Sequence, residues 1–534
     1  MNSRVPSHRG LVLALGLTSL LACSSDPSTD DEVGDGDGDA TSGDGDGDGD
    51  GDATSGDGDG DGDATTGDGD GDLLGGKFRI GINHGHRNQS WGDAQDSELS
   101  RDAGCNSARL KLHEGHLDTW GWGIELEDMA TYEQHGKRDM VAFLIGPTRP
   151  HSSAPADAAD WELEYWAPTN LYEPTTIDGA INPDNYWGFY VFQTVMTYRD
   201  HVKIWEVWNE PDWVPDWPVT QTWLDSPPLA EQLPRFNADI YAYVRMLRVT
   251  REAALLADPE AKVALGGLGY ETFLDAVVRY SDDPNGGAVG GEFPELGHAY
   301  FDVLNYHFYP HYSGVNSSGS ARAFVAKCDA MQAVLESHGV AAKPCMATES
   351  GASHVAIEGV PSGPEYARHY AIKLMALAHA HGILGVDWFA LSDGAALGES
   401  QDVYSYMGLV LDVAALASTA DATQTDTGVA LASYGQIFGE ALADLGATTA
   451  LNLPADVDGA AFRLPDDRRA WVLWAFDEDL DEAASASYEL ATEVDVLVHQ
   501  WDWSQTGATQ LRAPAAGVVT LDLTAAPQLV VEQP

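Results

Sequence analysis

The chain is poor in positive charge. Its 534 residues carry 28 Lys and Arg against 84 Asp and Glu, a formal net charge of −56. That imbalance excludes a nucleic-acid partner, because phosphate binding needs clustered Lys and Arg. Solubility is the plainest consequence of such acidity. Cysteine is scarce as well. The four cysteines form no CxxC pair and no Cys/His cluster, so no zinc site is implied. Long apolar runs are missing. The run from Leu11 to Leu21 is too short to span a bilayer, and nothing longer follows it. The Gly-rich loop with which an open doubly wound sheet holds a nucleotide is also absent, and no cofactor is implied.

What is present begins with a leader. Arg4 and Arg9 precede the apolar run, which ends in "LLAC", so residues 1–22 read as a signal segment. A small residue followed by cysteine resembles the lipobox of bacterial lipoproteins. The resemblance implies cleavage before Cys23 and its acylation, which would anchor the chain to a lipid bilayer of the cell envelope. Ser24, rather than Asp, fits outer-membrane sorting. Cys105, Cys328 and Cys345 then face an oxidising compartment. Three thiols allow one internal pair at most. Cys328 and Cys345 are nearest in sequence, but spacing does not establish a bridge.

Residues 23–76 consist almost entirely of Gly, Asp, Ser, Thr and Ala, with "GDATSGDGDGDGD" recurring imperfectly. Such a segment buries no apolar surface and is expected to be a disordered, self-repelling linker. Extended, it would reach roughly 170 Å. Its Asp-x-Asp-Gly units lack the twelfth-position Glu and the flanking helices of a calcium loop.

From residue 77 the texture changes. "KFRIGIN", "NSARLKLH", "DMVAFLIG", "VKIWEVWNE", "KVALGG", "FDVLNYHFY", "PCMATES" and "GILGVDWFAL" read as strands, with helical stretches between them. Asn182 is the expected N-cap of the helix before the fourth strand, with Pro183 at its first position. Eight such repeats across residues 77–440 predict an α/β fold, a (β/α)8 TIM barrel. Over residues 445–534, "AAFRLP", "AWVLWAF", "ASYELA", "DVLVHQWDW" and "GVVTLDL" alternate apolar and polar residues, which predicts a small antiparallel β-sandwich. A structural role for it ranks above independent sugar binding.

Barrel chemistry sits where strands end. Glu210, in "WEVWNEPDW", ends the fourth strand, and Glu349, in "CMATESGAS", ends the seventh. Strands four and seven face each other across a closed mouth. Two carboxylates there suit glycosidic cleavage, one protonating the leaving oxygen and the other attacking the anomeric carbon. Glu206 lies one layer deeper and reads as an interior polar group.

"WNEP" and "TES" at these strand ends resemble the clan A glycoside hydrolases, and "WEVWNEPD" with "HFYPHY" resembles family 39 most, then family 5. The resemblance implies a retaining glycosidase acting on a polysaccharide or its oligosaccharides, with Glu210 as acid/base and Glu349 as nucleophile. It further implies that Asn209 binds the sugar 2-hydroxyl and that Tyr309 and Arg109 keep Glu349 ionised. His307 is implied beside the acid/base, and Trp388 as the floor of the sugar site, a position that sometimes carries a non-proline cis peptide. Asn83, His84 and His86 follow the first strand and are candidates to reach the sugar. Trp120, Trp122, Trp161, Trp166, Trp213 and Trp217 fall in loops after strands two to four; about half are expected as sugar platforms and half as loop anchors. Xylan, β-glucan, mannan and uronic-acid polymers all remain open as substrates. A monomer is expected. The competing reading is a non-catalytic carbohydrate-binding lipoprotein that keeps the barrel. A metal-dependent hydrolase would need further ligands to join the His-x-His of His84 and His86, and none line up.

Overall fold

The structure, a computed structural model, describes residues 77–86, 88–312, 316–478 and 482–533. The expected signal segment, Cys23 and the linker lie outside the described residues. Eight parallel strands form one sheet: β1 (Arg79–Gly85), β2 (Arg109–His113), β3 (Met140–Ile145), β4 (Val202–Val207), β5 (Lys262–Leu265), β6 (Leu304–Phe308), β7 (Cys345–Ser350) and β8 (Gly385–Ser392). Their order is β5-β4-β3-β2-β1-β8-β7-β6. Parallel bridges Ala264–Val303 and Leu268–Tyr306 join its two edges, so the sheet closes into a barrel. Strands of this kind are covered on both faces; every residue of β6 and β7 is buried, the polar ones included.

A helix follows each strand: α1 (Asp93–Asp102), α2 (Leu126–Gln134), α3 (Tyr186–Tyr198), α4 (Ile240–Ala257), α5 (Glu271–Arg279), α6 (Ser317–Ser337), α7 (Pro364–Ala380) and α8 (Asp426–Phe438). Polar side chains start several of them. Asp239 accepts from the Ala242 amide, Asn316 from Gly319 and Thr425 from Gly428. The expectation for α3 needs correction. Its N-cap is Asn185, which accepts from the Gly188 amide, whereas Asn182 accepts from Asp184 one turn earlier and donates to the Pro174 carbonyl. Both asparagines close a turn, and the chain becomes helical only after the second.

The barrel interior is graded. Val141, Ile204, Ala264, Val303 and Met346 form a small apolar cluster within it. Next to Met346 lies a buried ion pair, Arg79 to Asp387 at 3.0 Å. Gly81 stands opposite, where a Cβ would overlap the Asp387 carboxylate. Nearer the C-terminal mouth the lining turns polar with Asn83, Arg109, Glu206, Asn305 and Thr348. Glu206 is fully buried and held by Arg109.

Beyond α8 the chain is antiparallel. Six strands, β9 (Leu442–Ala443), β10 (Val457–Arg463), β11 (Arg469–Ala475), β13 (Val496–His499), β14 (Thr509–Arg512) and β16 (Gln528–Glu532), form a sheet in the order β9-β10-β11-β16-β13-β14. A two-stranded ribbon of β12 (Ser485–Ala491) and β15 (Val518–Thr524) covers one face, burying Tyr488, Leu490, Leu521 and Leu523 against Trp471 and Leu473. The other face, with Phe462, Val472 and Trp474, joins the barrel core. Phe462 meets Phe438 of α8 edge-on, and each such buried ring contributes roughly 1.5–3 kcal/mol. This packing makes the sheet part of the barrel's outer wall.

Cys328 of α6 is bridged to Cys345, the first residue of β7, and Cys105 is buried as a free thiol. No helix among the described residues is long and apolar enough to cross a membrane.

Candidate active site

Two local irregularities aim the carboxylates. In β7, strict alternation would turn Thr348 inward and Glu349 outward. The register against β6 passes from Tyr306–Ala347 to His307–Glu349, and that against β8 from Val386–Ala347 to Trp388–Ser350. One extra residue is therefore inserted in β7. Such a bulge re-aims a side chain, and here Thr348 and Glu349 both face the interior. After β4, Trp208 and Glu210 adopt φ of 75° and 47°, left-handed conformations that cost about 1–3 kcal/mol each in a non-glycine residue. The fold holds them there. The Trp208 indole donates to the Arg235 carbonyl at 2.7 Å, and the Glu210 amide donates to the Gly266 carbonyl at 2.6 Å.

The result is a charged cluster at the mouth. One carboxylate oxygen each from Glu210 and Glu349 and one ring nitrogen of His307 lie within 4.8 Å of one another. Arg109 Nη1 donates to Glu349 at 2.6 Å, and its Nε and Nη2 grip Glu206 at 2.8 Å each. Burial disfavours the Arg109 cation, but Glu206 and Glu349 more than compensate and raise its pKa. Tyr309 donates to the second oxygen of Glu349 at 2.7 Å. Arg109 Nη2 also donates to Asn209 Oδ1 at 2.7 Å, which leaves Nδ2 as that amide's donor.

Glu210 has different neighbours. His307 Nδ1 lies 2.9 Å from its Oε1, and Arg235 Nη1 pairs with its Oε2. Burial works to raise the Glu210 pKa. Arg235 first, then His307 and Arg109, overcome it and hold the carboxyl down at about 2. An ionised carboxylate only accepts, so His307 Nδ1 carries the proton between them. Burial lowers the imidazole's pKa, but Glu349 and Glu210 together raise it above the ordinary value. Gly267, at φ 64°, leaves the space that this ring occupies. Glu210, His307 and Glu349 also have the spacing of cation ligands, yet Arg109 and Arg235 already sit against the two carboxylates.

The structure thus brings Glu210, Glu349, Asn209, Arg109, His307 and Tyr309 together. Trp388 is the exception and a correction. Its indole donates to the Met407 carbonyl at 2.8 Å and its ring lies 6.2 Å from that of Tyr370 on α7, so it faces the helical layer. Asp387 points into the barrel, so its neighbour in an alternating strand must point out. Phe389 takes the inward place, packing edge-on against Tyr309 and Tyr404, and the non-proline cis bond is Phe389–Ala390. Asn83 lies under the site, accepting from Arg109 at 3.2 Å. His84 turns away to stack on Tyr132 of α2. Trp120, Trp161 and Trp217 are exposed, whereas Trp122, Trp166 and Trp213 are half-buried. Sequence reasoning missed Arg235. It lies 25 residues beyond Glu210 in a loop, and no local pattern links the two.

No protein-family model and no curated protein matches the chain. Solved structures do. A family 39 glycoside hydrolase from the gut symbiont Bacteroides cellulosilyticus superposes with a TM-score of 0.55 at 14% identity, over 86% of this chain and 81% of that one. A GH30 endoxylanase from Clostridium papyrosolvens matches at 0.49 and 15%, over 86% of this chain and 98% of that one. A family 51 α-L-arabinofuranosidase from Bifidobacterium longum matches at 0.47 and 13%, over 87% and 94%. At such identities the likeness to the first shows the fold, a barrel with an appended β-sandwich.

Proposed function

We propose that the chain is a retaining glycoside hydrolase acting on a polysaccharide or its oligosaccharides. The observation that carries this reading is the pair of opposed carboxylates, each with an oxygen within 4.8 Å of the other. An approach of the nearest oxygens this close accords with the roughly 5–5.5 Å that retaining enzymes keep between their carboxyl groups. Glu349 attacks the anomeric carbon as the glycosidic C–O bond breaks, and Glu210 gives its proton to the departing oxygen. Water then donates a proton back to Glu210 and displaces Glu349. Arg109 and Tyr309 donate to the Glu349 carboxylate before attack and receive it again afterwards. Asn209 Nδ2 is the donor for the sugar 2-hydroxyl, a bond that strengthens as charge develops. Trp120, Trp161 and Trp217 are exposed, and their rings are the candidates for stacking sugars of a longer chain.

One observation favours the competing reading of a binding protein: Glu210 is held ionised, while a general acid must carry a proton. A binding relic, however, has no use for Glu349 seated between Arg109 and Tyr309. Acylation of Cys23 would tether the catalytic head to the envelope, and incorporation of labelled fatty acid that is lost in Cys23→Ser checks it. The catalytic reading is tested by proton NMR of the first-formed product from a panel of oligosaccharides. Retention of the anomeric configuration supports it. Inversion, or no cleavage of any member, overturns it.

A further inference from the structure

We propose that Arg235 is the receptor for a substrate carboxylate, so that the substrate is a uronate-bearing glycan whose acid group draws the guanidinium off Glu210. The inference rests on the glycosidase reading above.

Glu210 Oε2 faces Arg235 and its Oε1 faces His307, so both oxygens are occupied by donors. The other charged groups of the cluster are Arg109, Glu206, Glu349 and Asp212, contributed by β2, β4, β7 and the β4 loop. With a guanidinium against one oxygen and an imidazole against the other, Glu210 is held ionised, well below the usual carboxylate range. Substrate binding must therefore change its surroundings before it can act as an acid. His307 and Arg109 are buried on strands. Arg235 belongs to a loop, its side chain is 12% exposed, and its guanidinium lies 4.6 Å above the half-buried ring of Trp213. It is the partner that the cleft can reach.

A neutral sugar offers hydroxyls, which compete weakly with a carboxylate for a guanidinium. A uronate offers a second carboxylate of the same planar, two-oxygen geometry as Glu210. The exchange also balances charge. When Glu210 takes up a proton, the negative charge that Arg235 faces in the ion pair disappears, and the substrate's carboxylate replaces it. The arrangement ties acid competence to recognition, because Glu210 becomes a proton donor only when the acidic sugar is seated. The chain as a whole repels polyanions at a net charge of −56, so an acidic substrate needs a local cation, and Arg235 supplies one at the scissile bond.

The test uses three matched pairs of β-linked tetrasaccharides, gluco-, manno- and galacto-configured, each as the neutral sugar and as its C6 carboxylate. Binding is measured by calorimetry on Glu349→Gln and on Glu349→Gln/Arg235→Gln. Turnover is followed in proteins that keep Glu349. One uronate should bind about tenfold or more tighter than its neutral twin, and Arg235→Gln should remove that preference. Arg235→Lys, which keeps the charge and loses the paired geometry, should fall between the two. In Arg235→Gln the alkaline limb of any neutral-substrate activity should move to higher pH, since Glu210 ionises less readily without the guanidinium. Equal binding of all twins, or a preference that survives Arg235→Gln, overturns the inference. Cleavage of neutral chains without uronate preference leaves the glycosidase standing and removes the receptor. Arg235-dependent uronate binding without cleavage of any chain keeps the receptor and removes the glycosidase.

Discussion

On one side of the barrel mouth, Glu349 is held by groups that strands deliver: Arg109 from β2 and Tyr309 from the residue just beyond β6. On the other side, Glu210 shares the strand-borne His307 but meets Arg235, which arrives on a loop. The β7 side is a fixed receptacle for an anion. The β4 side is held by a cation carried on a loop. Under the proposed mechanism, rigid elements suit the nucleophile and a loop suits the group whose protonation changes during the reaction.

Removing the carboxylates breaks this comparison most severely. Glu349→Ala should lower kcat by roughly 10⁴-fold or more on every substrate, since no other group can form the covalent intermediate. Glu210→Ala should cost about 10²–10⁴-fold on natural glycans and far less on aryl glycosides whose leaving groups need no proton. Equal losses on both substrate types would contradict the division of roles.

The next contrast is between neighbours on β8. Trp388→Ala should cost about 3–5 kcal/mol in chemical unfolding, because a fully buried indole is lost from between sheet and helix. Phe389→Ala should act chiefly on kcat/KM, through Tyr309. A Trp388 change that altered turnover without altering stability would restore its expected place in the sugar site.

Smaller still is the effect of one hydrogen bond. Tyr309→Phe should reduce kcat/KM by about tenfold to a hundredfold, the range for a bond to a charged group, with no loss of fold.

The smallest effect is a stability difference that depends on pH. Glu210 has a folded pKa near 2 against an ordinary 4.5, so its pairing stabilises the protein fully above about pH 4.5. That contribution fades as pH falls toward 2. The Tm gap between wild type and Glu210→Gln should therefore be widest near neutrality and shrink through that window. A gap independent of pH would mean that Glu210 is not paired in solution.

These contrasts also mark what could be read from residues alone. The eight strands were legible as short segments rich in apolar residues between helical stretches, and Glu210 and Glu349 because each closes one. Trp388 was misplaced by one phase, although Asp387 beside it already signalled the inward positions. The inward turn of Glu349 depends on an extra residue in β7, and that appears only in the pairing with both neighbouring strands. Asn182 and Asn185 are both competent caps, and the choice between them was made by the turn that Asn182 closes. Arg235 was invisible because a loop residue's partner is set by the path of the chain.

The most direct measurement is intact mass after incubation with 2-deoxy-2-fluoro glycosides of neutral and uronic sugars, followed by peptide mapping. A single glycosyl adduct is expected on the peptide containing Glu349, absent from Glu349→Ala. An adduct on Glu210 or elsewhere, or none from any sugar that the protein binds, would contradict the assignment of Glu349 as nucleophile.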